Sequence, residues 1–192
     1  MAGAPGVQSL SGGMELLERA ISYTVGTFGA VTPDVLTAAT PCREWSVQDL
    51  LDHLNDGMSA LGEAFDDGWV HVDADLQDRC PLDVLRESAR ALLAIIAERR
   101  AGVPTVDIDG REIAGAVVAV TGALELAVHG WDLAQGCGAP RPLPDGLAAD
   151  LLRLAPLLVT DEDRPGRFAD PVPVPAASSS SDRLLAWLGR EP

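Results

Sequence analysis

Apolar positions recur at helical spacing in several stretches, with Gly-, Pro- and Asp-rich segments between them. From Met14 to about Ala30, Leu16, Leu17, Ala20, Ile21, Thr24, Val25 and Phe28 fall three and four apart. They predict a first helix whose end Gly26 and Gly29 weaken. Ser46 suits a helix N-cap, with Asp49 placed to reach back to the backbone. The stripe Val47, Leu50, Leu51, Leu54, Met58, Leu61 and Phe65 then predicts a second helix. Pro81 opens a third, running to about Arg100 and closed by Gly102. A fourth covers 114–134. A fifth covers about 145–158, where Pro156 should kink or end it. A short last helix spans 182–189. The remaining segments read as a loose start (1–13), a turn near 34–38, an acidic linker (69–80), a loop at 103–111 turning at Asp109-Gly110, and an extended run at 160–181. There is no internal repeat, and residues 14–192 read as a single domain.

The fourth stretch is apolar almost all round, which predicts a buried helix. Glu125, His129 and Asp132 interrupt it at i, i+4 and i+7, on one face. Glu-x3-His is a metal-ligand spacing; the plainer reading is the solvent face of an amphipathic helix. His53 falls on the flank of the second helix's stripe, beside the small residues Ser46, Gly57 and Ala64. Periodicity permits an inward His53 without requiring it. Asp49, four residues earlier, is placed to orient its imidazole from behind.

Composition narrows the classes. Hydrophobic residues make up 47% and aromatics 4%, so Ala, Leu and Val must fill the core, which favours closely packed helices over a β-sandwich. The net charge of −15 argues against nucleic-acid binding. Three cysteines without a CxxC pair argue against a disulfide framework. Cys42 reads as a structural thiol before a nucleophile, Cys80 and Cys137 as bystanders, and His71 as a linker residue rather than a ligand. Trp45 and Trp131 read as core or pocket wall. With no leader pattern and no uncharged run of about 18 apolar residues, the expected place is the cytoplasm, away from membranes.

Two passages carry a resemblance. Thr40-Pro-Cys-Arg-Glu-Trp-Ser-Val-Gln-Asp-Leu-Leu-Asp-His53-Leu is similar to the signature TPC-x-x-W-S/T-V-x-D-L-x-x-H. Glu125-Leu-Ala-Val-His129-Gly-Trp-Asp-Leu-Ala is similar to E-x-x-x-H-G-W-D-L-A. The region from Phe168 to Arg190 also looks like the same family's C-terminus. The chain therefore resembles, from Met14 to Gly189, the actinobacterial branch of the DinB-like superfamily. That branch is related to the N-terminal domain of mycothiol-dependent maleylpyruvate isomerase.

The resemblance implies an all-α, DinB-like four-helix bundle with short added helices. It implies a divalent metal, zinc first and nickel second, held by His53, Glu125 and His129; by their positions Asp132 and Asp49 read as acids behind the ligands. It further implies mycothiol as co-substrate in S-transfer to, or isomerisation of, an electrophilic small molecule. Isomerisation of maleylpyruvate itself is the less expected reaction, because the isomerase has a further C-terminal domain that contributes to its site. The other readings are a metal-hydroxide hydrolase or lyase, a non-catalytic metal-binding or stress-response protein, and a bundle that uses its pocket without metal. No residue reads as a dedicated acid or base. The expected partner is a small-molecule substrate; the oligomeric state is left open, a homodimer included.

Overall fold

A computed structural model describes residues 12–68, 81–164 and 167–192. His71, Cys80, the expected acidic linker and nearly all of the expected loose start lie outside the described residues. The chain divides into two compact units, the first ending at Pro140 and the second covering Arg141–Pro192. Among the described residues there are six α-helices and one two-stranded antiparallel sheet.

The first unit is a bundle of four helices. Helix α1 (Gly13–Val25) buries Leu16, Leu17, Ala20 and Ile21. It stops sooner than periodicity predicts: Gly26 caps it and Phe28–Ala30 form a separate 3-10 turn. Thr27 Oγ1 donates to Thr24 O at 2.7 Å, closing the chain on itself where the helix would have continued. Helix α2 (Val47–Asp66) begins at the expected capping box between Ser46 and Asp49. Helix α3 (Pro81–Glu98) opens on Pro81 as expected, and Gly102, at φ +81°, turns the chain beyond it. Helix α4 (Gly115–Gly136) is the buried one. Around the bundle α1 packs on α4, α4 on α2, α2 on α3 and α3 on α1. Length and composition would let α4 cross a membrane, but most of its apolar stretch is buried inside the protein, as in a core helix.

The expected loop at 103–111 is instead a β-hairpin. Strand β1 (Thr105–Ile108) pairs with β2 (Arg111–Ala114) in the register Val106↔Ile113 and Ile108↔Arg111. Asp109 and Gly110 both have positive φ, 52° and 76°, the conformation that a tight two-residue hairpin turn requires. Val106, Ile108 and Ile113 share the face with the apolar side chains, because alternate strand residues point the same way. Asp107 N donates to Gly68 O, tying the hairpin to the end of α2.

In the second unit, α5 (Asp145–Leu158) packs with α6 (Ser180–Trp187). Pro156 sits inside the last turn of α5, which ends two residues later. Between the two helices Asp161–Asp163 form a 3-10 turn, and Ser178 N donates to Pro175 O in a turn just before α6. Val172 N donates to Ala186 O, and Leu143 N to Ser181 Oγ. Arg164 reaches Trp187 O and lies 5.2 Å from the Trp187 ring centre.

Candidate metal centre

Two bundle helices and one loop bring the site together. His53 lies on the second turn of α2, and Glu125 and His129 lie one turn apart on α4. The three side chains offer ligand atoms all within 4.8 Å of one another. His129 Nε2 is 3.3 Å from Glu125 Oε2. That is about the 3.3 Å edge expected of a tetrahedron with metal–ligand distances near 2.0 Å. The His53 and His129 rings meet edge to face at 4.9 Å between centres. A His2Glu donor set at this spacing fits a divalent metal of the zinc type and leaves a fourth tetrahedral position for a non-protein ligand.

The loop before α2 supplies the wall. Trp45 O accepts from Thr40 N at 3.1 Å and from Thr40 Oγ1 at 3.0 Å, so residues 40–45 fold into a tight turn with Glu44 at φ +69°. The turn sets Trp45 against both imidazoles, 4.6 Å from His53 and 5.7 Å from His129 between ring centres. It also brings the Cys42 thiol within 4.8 Å of a His129 nitrogen and an Asp132 oxygen. Periodicity had no way to place Cys42 there, since the position depends on the turn and not on a helix face.

Asp132 is completely buried. Its Oδ2 lies 3.1 Å from His129 Nδ1. A carboxylate at that distance holds Nδ1 as the N–H and leaves Nε2 as the lone pair facing Glu125 and His53, the arrangement of a metal-bound histidine. Burial disfavours a charged His129, yet the bonds to Asp132 and Glu125 outweigh it and raise its pKa. His53 goes the other way: burial, with the neighbouring His129 adding to it, lowers its pKa despite Glu125 and Asp56. Asp49 is engaged in the cap. Its Oδ2 accepts from Ser46 N at 2.8 Å and Ser46 Oγ at 2.6 Å, so its carboxylate bonds run to Ser46 rather than to His53. Cys137 is half-buried, and burial pushes its thiol pKa up.

The cluster forms part of the wall of a cavity of about 370 Å³. Leu54, Leu61 and Leu126 from the bundle, Ile108 and Ile113 from the hairpin, and Val117 and Val118 from the start of α4 line it. Between them Gly57, Ala60, Ala64 and Gly122 keep the wall thin. The hairpin was the part of this wall that the sequence reading missed. Its signal was present in Asp109-Gly110 between short β-branched runs.

Comparison with known proteins gives the lineage. The model of the mycothiol maleylpyruvate isomerase N-terminal domain matches residues 17–134, which contain all four bundle helices but the first turn of α1 and the last two residues of α4. Two relatives from Mycobacterium tuberculosis, "Uncharacterized protein MT0763" of strain CDC 1551 and "Uncharacterized protein Rv0738" of strain H37Rv, are each 30% identical over 177 residues, covering 90% of this chain and 94% of theirs. No solved structure matches. The chain belongs to the mycothiol maleylpyruvate isomerase N-terminal domain family.

Proposed function

We propose that this chain is a metal-dependent enzyme that uses a low-molecular-weight thiol of the mycothiol type, transferring it to an electrophilic small molecule or isomerising that molecule. The observation carrying this reading is the His53–Glu125–His129 cluster set in the wall of an apolar cavity. A divalent metal bound there would supply the positive charge that holds a thiol as its thiolate at neutral pH.

The chain's own residues do the rest. Asp132 fixes the His129 tautomer and ring plane through Nδ1. Trp45 packs against both imidazoles and limits their rotation. The apolar wall excludes water from the electrophile, which favours sulfur over hydroxide as the attacking atom. When the thiol adds to an activated double bond, the C–S bond forms as the C=C π bond breaks; its electron pair takes up a proton from solvent in place of the one the thiol lost, so the net step adds S–H across the double bond. The cytoplasm is the expected place, where unbridged thiols such as Cys42 and Cys137 persist.

Metal analysis of untagged protein, followed by a conjugation assay with mycothiol and a generic electrophile, tests the reading. The expected result is one zinc-type metal per chain, lost in His129→Ala, and thiol-dependent turnover lost with it. Turnover to a hydrated product without thiol would point to a hydrolase. Mycothiol that alters neither rate nor thermal stability would remove the thiol from the account.

A further inference from the structure

The cavity has a composition that selects its ligand. Of the fifteen described residues lining it, the titratable ones are His53, Glu125 and His129; the remaining polar side chain among them is Thr121. Among the described residues no arginine reaches its wall, and the chain contains no lysine. An anionic ligand in the cavity would meet the Glu125 carboxylate and, among the described residues, no cation other than a protonated His129, whose charge Glu125 and Asp132 already offset, so its desolvation would go largely uncompensated. A ligand with two carboxylates would leave at least one unpaired even with a metal in place.

Gly57 adds an independent observation. It lies in the interior of α2, where glycine is destabilising relative to alanine. Its φ is not positive, so the backbone does not require glycine. A Cβ added there would meet nothing within 4 Å, so packing does not require it either. Gly122, on the opposite wall, differs: its Cβ would come within 2.7 Å of Leu61 Cδ1. Gly57 borders the cavity, and what its missing side chain preserves is open volume.

We propose that this cavity is a binding site for a neutral, largely apolar small molecule, and that Gly57 is a specificity-determining residue that keeps room for it. The volume suits on the order of a dozen non-hydrogen atoms, taking about 30 Å³ each as for water. Ile108 and Ile113 on the hairpin give the molecule an aliphatic face. The binding claim rests on the wall alone; that the molecule is the electrophile accepting the thiol rests on the function proposed above.

A matched pair of probes tests it: benzylideneacetone, a neutral enone, and trans-cinnamate, an anion of nearly the same size and shape. Equilibrium dialysis is run against the full chain, metal-free and zinc-loaded. The enone should bind at least tenfold tighter than cinnamate to the metal-free chain. Gly57→Leu should weaken enone binding at least tenfold, while its melting temperature stays level or rises and its zinc stoichiometry stays unchanged. Val118→Phe, which fills the same space from α4, covers the case in which Gly57→Leu does not fold. Equal or tighter cinnamate binding to metal-free protein, binding of neither probe, or full enone affinity in a folded cavity-filling variant would each overturn the proposal. Enone binding by a chain that takes up no zinc would leave the cavity assignment standing and remove the metal reading.

Discussion

Asp132 and His129 show how much of the site depends on a single pair. Asp132 has no exposed surface, and a buried carboxylate needs a partner. His129 Nδ1, 3.1 Å away, is such a partner. Asp132→Asn keeps the shape, removes the charge and lets the amide donate, which favours the wrong His129 tautomer. It should lower zinc affinity about 10–100-fold, measured by chelator competition; affinity unchanged in a folded Asp132→Asn protein would deny the aspartate this role. The pKa of His129 sets a pH dependence. Raised by Asp132 and Glu125 against the effect of burial, it makes metal-free protein hold a proton there more tightly than the unfolded chain does. That stabilisation is complete below the ordinary imidazole value and fades as pH climbs through the raised one. Metal must displace this proton, so zinc affinity should rise with pH across that window, with proton release visible when binding is measured in buffers of different ionisation heat. Affinity independent of pH there would contradict a protonated His129.

At the scale of elements, helices α1 and α4 depend on a close approach. Thr24 Oγ1 lies 2.7 Å from Leu126 O and 3.0 Å from Ala20 O, so its hydroxyl bridges the two helices. A Cβ on Gly130 would come within 2.7 Å of Thr24 Oγ1 and 3.2 Å of Thr24 Cα, and the backbone atom cannot swing aside. Gly130→Ala should therefore destabilise by about 1–3 kcal/mol, read by denaturant unfolding, although alanine is the better helix former. Ser46→Ala, which removes the α2 cap, should cost about 1 kcal/mol. These contacts also mark what the sequence could and could not reveal. Helical spacing located α2, α4 and α5 to within a residue or two, because each buries a stripe of two turns or more or is apolar all round. It overran α1, where Thr24 and Thr27 form side-chain bonds in place of another turn. It passed over the hairpin, whose four-residue strands hold too few alternating positions to register as a pattern. Glu125, His129 and Asp132 were legible as one helix face. The approach of Cys42 and Trp45 was not, since it is set by the Thr40–Trp45 turn, which no periodic pattern encodes.

For the molecule as a whole, the site belongs entirely to the first unit. The matched family region, 17–134, lies within that unit, and every candidate ligand and every cavity residue is numbered below 140. A ligand that binds only the folded state stabilises it by mass action, and unfolding disperses a cluster whose His53 and Glu125 lie more than 70 residues apart in sequence. Free zinc at a hundred times its dissociation constant should then add about 2.7 kcal/mol. For a chain of this size that raises the melting temperature by about 5–10 °C. Intrinsic fluorescence of the four tryptophans follows the unfolding, and Trp45, packed against both imidazoles, makes it sensitive to the site. His129→Ala should abolish the zinc-dependent shift of the fluorescence transition, and chelator added to loaded wild-type protein should reverse it. The control is Val118→Phe, which fills the cavity from α4 about two turns before Glu125 and should keep the shift intact. A zinc shift of equal size in His129→Ala would place the binding elsewhere on this acidic chain, and the cluster would then be a histidine held between two carboxylates with no metal to hold.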